Sequence, residues 1–437
     1  MNKITLTVLF FTAFTISALA QENLTLQQAI QTALNKNIDV IRAGNTMQAQ
    51  QANLTSAYGN LLPSVNASAG WSRRGSSFDP TPLIPSGTSA SGSTSVGISA
   101  NVTLFDGLRN TANLSRAGNL ASSSEYDFQK QKQTIVLAVQ QAYLTVLRNH
   151  QLLKVAQDNL KQSQEQLARI TESNKVGAVA KADLYRQQVQ TANDELSVIS
   201  AQSNYDNSQY DLLYLLALDV DKTYTFEDQD VLAQVENADS TYKNEIDDYQ
   251  EMVKQALEIR PDYLSSKLAV DAAASSVSMA RSGYFPSLSL NGGYGIGGTN
   301  FSDISDVKSW NVGISLSLPL FSGFQTKTSV QTSTLDYEYA QQNLQQAKRK
   351  VEKDIRTALL NLETAKKRLD VSAKNVISAD EDRRIAEERY NLGSNTLLDL
   401  LVARANYTQA ISNKVNSSYD FLYAKQQFRV AIGKDNF

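Results

Sequence analysis

Residues 325–390 read QTKTSVQTSTLDYEYAQQNLQQAKRKVEKDIRTALLNLETAKKRLDVSAKNVISADEDRRIAEERY, with no proline and no glycine. Apolar and small side chains recur at alternating spacings of three and four. Val351, Ala358, Ala365, Ser372, Ala379 and Ala386 form one row. Ile355, Leu362, Leu369, Val376 and Tyr390 form a second, which Arg383 interrupts. This is a heptad seam, so the stretch is expected to be one long supercoiled helix. At a rise of 1.5 Å per residue it would run for roughly 100 Å, about three times what a small domain needs.

The same pattern occurs earlier in the chain. One seam row recurs at Ile135, Ala142, Asn149, Ala156, Ser163 and Ile170, and the other at Val139, Val146, Leu153, Leu160 and Leu167. The flanks recur as well. Leu104-Phe105-Asp106-Gly107 precedes the first helix and Leu320-Phe321-Ser322-Gly323 the second, while Val176-Gly177-Ala178 and Leu392-Gly393-Ser394 follow them. The chain is therefore expected to be two copies of one unit of helix, hairpin, very long helix, tight turn and helix.

Between the helices the period changes to two. In 64–74, Val65, Ala67, Ala69 and Trp71 alternate with Ser, Asn and Gly, and in 94–105 Val96, Ile98, Ala100, Val102 and Leu104 do the same. The second copy repeats this at Leu288, Leu290, Tyr294 and Ile296, and at Trp310, Val312, Ile314, Leu316 and Leu318. Residues 75–93, rich in Ser, Gly, Pro and Thr, read as a long loop. Each strand is about ten residues long, with one apolar and one small polar face, which suits strands tilted across a ~25 Å apolar band. A soluble hairpin pair would normally carry Lys or Glu on its wet face. Four strands cannot close a barrel, and an open edge is not tolerated in lipid, so the barrel is expected to be shared between chains. Two chains would give eight strands and a lumen filled by side chains, whereas three would give twelve and room for a pore.

Composition narrows the function classes. The net charge of the 437 residues is -3, with no basic block, which argues against nucleic acid as a partner. There is no cysteine and one histidine, which excludes thiol nucleophiles and the usual zinc ligand sets. His150 lies mid-helix and reads as a solvated helix residue. Gly292-Gly293 and Gly297-Gly298 lead into no helix and form no phosphate cradle. No cofactor, no metal and no enzyme activity is expected. Residues 1–20 carry Lys3, an apolar run from Ile4 to Ile16 and Ala18-Leu19-Ala20, the pattern of a signal peptide cut before Gln21.

In order, the expected organisation is a first repeat over 21–218, an equatorial segment over 219–248 and a second repeat over 249–437. The first repeat holds a helix over Leu24–Leu61, a β-hairpin over 64–105, a long helix over 108–174 and a return helix over 182–218. The equatorial segment is acidic and aperiodic, and reads as packing outside the helical bundle. The second repeat holds two helices, a β-hairpin over 287–320, a long helix over 324–390 and a return helix over 397–432. The fold class is mainly α, with a small membrane β part.

This pattern resembles the TolC family of outer-membrane efflux ducts over essentially the whole mature chain. The motifs that carry the resemblance are Leu62-Pro63-Ser64 and Phe285-Pro286-Ser287 before the strands, the paired Leu-Phe-x-Gly segments after them, and Tyr390-Asn391-Leu392-Gly393-Ser394 leading into Thr396-Leu397-Leu398-Asp399-Leu400. The resemblance implies a homotrimer, with a shared 12-stranded β-barrel in outer-membrane lipid and a periplasmic α-barrel of coiled-coil helices. It implies docking to a periplasmic adaptor, a membrane fusion protein, and an inner-membrane transporter, for efflux or type I secretion, through the turns at Val176, Gly177, Ala178 and at Leu392, Gly393, Ser394. It also implies a gate at those turns, with Gln166 paired to Glu387 and Asp183 paired to Tyr390. Where other members place a gate arginine, this chain has Asn395. Asp399 would form a single acidic ring, because Val402 replaces a second family aspartate. Asp183 and Asp399 also read as first-turn helix residues, and the Thr396–Asp399 spacing fits an N-terminal cap. A non-conducting trimeric coiled-coil adhesion protein anchored by a β-barrel is the competing reading; two separated hairpins per chain disfavour it.

Overall fold

A computed structural model of the chain describes residues 22–78, 87–222, 224–226, 229, 231, 233 and 248–434. The expected signal peptide over 1–20 and most of the expected equatorial segment over 219–248 lie outside them. The elements begin with β1 (Glu22–Asn23), α1 (Leu26–Lys36), α2 (Ile38–Gly59), β2 (Ser64–Phe78), β3 (Gly87–Phe105) and α3 (Arg109–Lys175). They continue with α4 (Lys181–Leu215), β4 (Tyr224–Thr225), α5 (Tyr249–Ile259) and α6 (Pro261–Arg281). The last are β5 (Ser287–Gly298), β6 (Val307–Ser317), α7 (Gln325–Asn391) and α8 (Leu397–Ala431).

The duplication is visible in the element lengths. Helices α3 and α7 are each 67 residues long, and α4 and α8 are each 35. Their seams are buried: Val139 and Val146 are 0% exposed on α3, and Ile355 is 0% exposed on α7. Each such aliphatic side chain contributes about 1.5–3 kcal/mol of burial.

The chain divides into two compact units, each drawing on both sequence repeats. One comprises residues up to Asn37 with Ile135–Ile246 and Asn361–Gln427, and the other Ile38–Thr134, Asp247–Leu360 and Phe428–Phe437. In the first unit, the short parallel pair β1–β4 brings Tyr224 and Phe226 inward. Phe226 meets the ring of Tyr143 edge-on at 6.2 Å, and the Tyr143 hydroxyl donates to the Leu24 carbonyl at 2.9 Å.

The second unit holds a four-stranded antiparallel sheet in the order β2-β3-β5-β6. The register places one apolar row above another. Ala67, Ile98, Tyr294 and Trp310 stand side by side across all four strands, as do Val65, Ala100, Gly292 and Val312. The alternate rows are polar: Asn66, Ser99, Gly293 and Asn311, then Ser64, Asn101, Asn291 and Gly313. The apolar face is uncovered in the chain, with Val65 at 66%, Trp310 at 77% and Val312 at 71% exposure. Strands β2 and β6 each have one neighbour among the described residues.

Two expectations need correction. The stretch 75–93 is not all loop: β2 runs on to Phe78 and β3 begins at Gly87, paired from Arg74↔Ser91 to Phe78↔Gly87. Ser, Gly and Thr are poor strand markers, but a register already set by 64–74 carries them along. The single helix expected over Leu24–Leu61 is two helices. Asn37 is extended, at φ -64 and ψ 129, and its side-chain amide donates to the Leu215 carbonyl at 2.9 Å. Asn side chains favour such local exits from a helix. No described helix is long and apolar enough to cross a membrane.

Candidate gate at the helical turns

The two tight turns are built alike. Gly177 and Gly393 have φ of +76 and +72, a region that only glycine enters without strain. Ala178 N–H reaches back to the Ser173 carbonyl and Gly177 N–H to that of Asn174, at 2.9 and 3.0 Å. Ser394 and Gly393 repeat this with Arg389 and Tyr390, also at 2.9 and 3.0 Å. This pairing of a six-to-one and a five-to-two bond is a Schellman closure, which satisfies the last carbonyls of α3 and α7. Each closure leaves an apolar knob in solvent, Val176 at 81% and Leu392 at 83% exposure.

Thr396 caps α8. Its hydroxyl accepts from the Asp399 N–H at 3.2 Å, while the Asp399 carboxylate accepts from the Thr396 N–H at 3.0 Å and from its hydroxyl at 2.7 Å. The hydroxyl bond and then the backbone bond hold the Asp399 carboxyl below its ordinary value. Asp183 lies in the first turn of α4 and pairs with Arg186 at 2.8 Å.

Gln166 and Glu387 are not bonded to each other within the chain. Gln166 is 4% exposed and its Oε1 accepts twice from Arg169, at 3.2 and 2.6 Å. Glu387 accepts from Arg404 at 2.9 Å and from Arg383 at 3.2 Å. Tyr390 packs on the small core of Ala386, Leu400 and Ala403. Burial raises the Tyr390 phenol above its usual value and the nearby Asp183 charge adds to this, while a hydrogen bond with Gln166 opposes both. Tyr390 thus touches both helical hairpins: α7–α8 by packing, and α3–α4 through Gln166 and the field of Asp183. Asn395 is half-buried in the second turn.

Sequence reasoning missed the arginines. Arg383 stood out only as a break in the seam. It is half-buried, pairs with Asp380 at 2.7 Å, and lies 4.8 Å over the Tyr407 ring. Arg404 was not singled out, although antiparallel helices joined by a tight turn set residues at comparable distances from it side by side. Elsewhere, His150 stacks on Tyr205 with ring centroids 5.1 Å apart. Among the described residues no group of three or more His, Cys, Asp or Glu could hold a metal ion.

The chain matches the model of the outer membrane efflux protein family over residues 29–218 and 252–434. It is 25% identical over 385 residues to outer membrane protein TolC of Vibrio cholerae, covering 87% of this chain and 84% of that one. To the probable efflux pump outer membrane protein TtgC of Pseudomonas putida it is 26% identical over 421 residues, covering 93% and 82%. Its fold is that of the Campylobacter jejuni CmeC outer membrane channel, with a TM-score of 0.81, 22% identity, and 93% and 85% of the two chains covered. With the family model matched along nearly all of both repeats, the chain is a member of the outer membrane efflux protein family, an outer-membrane exit duct of an efflux system.

Proposed function

We propose that three copies of this chain close one passive channel, shut at rest at the helical turns and opened when partner proteins dock there. The observation that carries this is the sheet. Its apolar face is uncovered and, among the described residues, its edge strands β2 and β6 lack a second neighbour, so in lipid each edge must pair with another chain. Three sheets give twelve strands, enough for an aqueous lumen lined by the Asn66–Ser99–Gly293–Asn311 rows. The polar alternative face and the family's outer-membrane location support a conducting duct over a non-conducting anchor.

The gate would be Tyr390 with Gln166 and Asp183, backed by Glu387, Asn395 and Asp399. A neutral hydrogen bond is worth about 0.5–1.5 kcal/mol net, and one to a charged group about 1.5–3 kcal/mol. Links of this size in three chains hold a closed state by several kcal/mol. A periplasmic adaptor, carrying an inner-membrane transporter, can supply that by binding the open form more tightly. The exposed knobs Val176 and Leu392 with their glycine turns are the docking points. Planar-bilayer recording tests the assignment: Tyr390→Phe with Asp183→Ala should raise single-channel conductance, and unchanged conductance in a correctly assembled channel rejects it.

A further inference from the structure

We infer that Thr408 and Asn159, oriented by Asp194, form a second latch between the α3–α4 and α7–α8 hairpins, and that it must part when the duct opens. The inference deepens the gate proposed above and rests on it. Asn159 (α3) donates through Nδ2 to Asp194 (α4) at 2.8 Å. Asp194 is 5% exposed and also takes Gln190 Nε2 at 3.0 Å. A buried carboxylate only accepts, so it fixes which end of the Asn159 amide faces it. The Asn159 carbonyl end is thereby turned to α8, where Thr408 Oγ1 donates to it at 3.2 Å.

Two features set this contact apart from ordinary packing. Helical hydroxyls in this chain commonly bond back to the carbonyl four residues earlier, as Thr145 does to Gln141, Thr171 to Leu167 and Ser412 to Thr408 itself. The Thr408 hydroxyl instead reaches across to the other hairpin. The contact is also one-sided in the duplication. The equivalents of Thr408, Asn159 and Asp194 in the other repeat are Ala192, Asn375 and Ala410, which supply neither the hydroxyl nor the carboxylate. The repeated coiled-coil plan therefore does not require it. The pair lines a groove of about 340 Å³ between α3, α4 and α8 that also holds Arg404 and Gln187, so reagents can reach it. The Asn159–Asp194 bond stays within one hairpin; the Thr408–Asn159 bond is the one that joins the two.

The chain has no cysteine, which makes a thiol test clean. Thr408→Cys with Asn159→Cys, bridged by a short reducible bis-thiosulfonate, should hold single-channel conductance at the resting level even in the Tyr390→Phe, Asp183→Ala background, and reductant should restore it. Thr408→Val keeps the shape and removes the donor. It should shift the open-to-closed ratio roughly 2- to 10-fold per chain towards open, with assembly on native gels unchanged. If the Tyr390 and Asp183 substitutions raise conductance while neither bridging nor Thr408→Val alters it, the latch is refuted and the gate stands. If those substitutions leave conductance unchanged, the gate reading itself fails and the latch with it.

Discussion

At the scale of single residues, what the molecule does with its polar groups depends on who faces whom across a turn. Thr396 and Asp399 make a local cap, and their spacing in the sequence is enough to see it. Arg404 and Glu387 are brought together only when α8 folds back on α7, and no local pattern marks the pair. Tyr419 is a third kind. It is 3% exposed, its hydroxyl is buried without a hydrogen-bond partner, and burial pushes its phenol up to about 12. A raised folded value means the neutral form is favoured in the fold. Its contribution is intact below the unfolded value near 10 and is lost as pH rises from there through about 12. Tyr419→Phe should therefore be neutral or stabilising at pH 7, since it removes an unsatisfied polar atom. It should also flatten the loss of thermal stability between pH 10 and 12, as followed by circular dichroism. An unchanged alkaline profile would contradict this.

At the scale of elements, the long helices were legible because a heptad seam sustained from Val351 to Tyr390, within a stretch free of proline and glycine, has no competing reading. The strand cores were legible by alternation, but their ends were not. Gly87–Gly92 has the composition of a loop, and only pairing with β2 makes it strand. The break at Asn37 was hidden because its cause is a carbonyl on α4, far away in sequence. The junction of α5 and α6 shows how elements are tied. Arg260, with a side chain 5% exposed, makes a two-point bond to Asp262, a bond to Asp354 on α7 at 3.2 Å, and one to the Ala431 carbonyl at the end of α8 at 3.1 Å. Burial alone would raise the Asp262 carboxyl, but the Arg260 hydrogen bond and charge outweigh it and hold the carboxyl below its ordinary value. Arg260→Met leaves two partly buried carboxylates and a helix-end carbonyl without this donor. The expected cost is about 3 kcal/mol, the low end for removing one member of a buried pair, because both carboxylates keep some solvent. Hydrogen exchange should speed up over 428–434 first, and unaltered protection there would show that the cluster does not tie these elements.

At the scale of the whole molecule, the duplication and the four-strand count follow from the sequence, whereas the number of chains does not. That the barrel wall is shared between copies follows from the strand count, but which strands form its edges is seen only once the strand order β2-β3-β5-β6 is known. The partners of Gln166 and Glu387 were not legible: within the chain Gln166 is held by Arg169 and Glu387 by Arg404, arginines that lie off the expected pairings. The central claim is that β2 of one chain pairs with β6 of the next until three chains close the ring. Ser68 and Ser309 occupy one polar row, on the two edge strands. In the cysteine-free chain, Ser68→Cys with Ser309→Cys, treated in membranes with a series of bis-maleimide spacers, should give a ladder on denaturing gels that ends at three linked chains. A product that stays monomeric with every spacer, or that stops at two chains, would contradict the account.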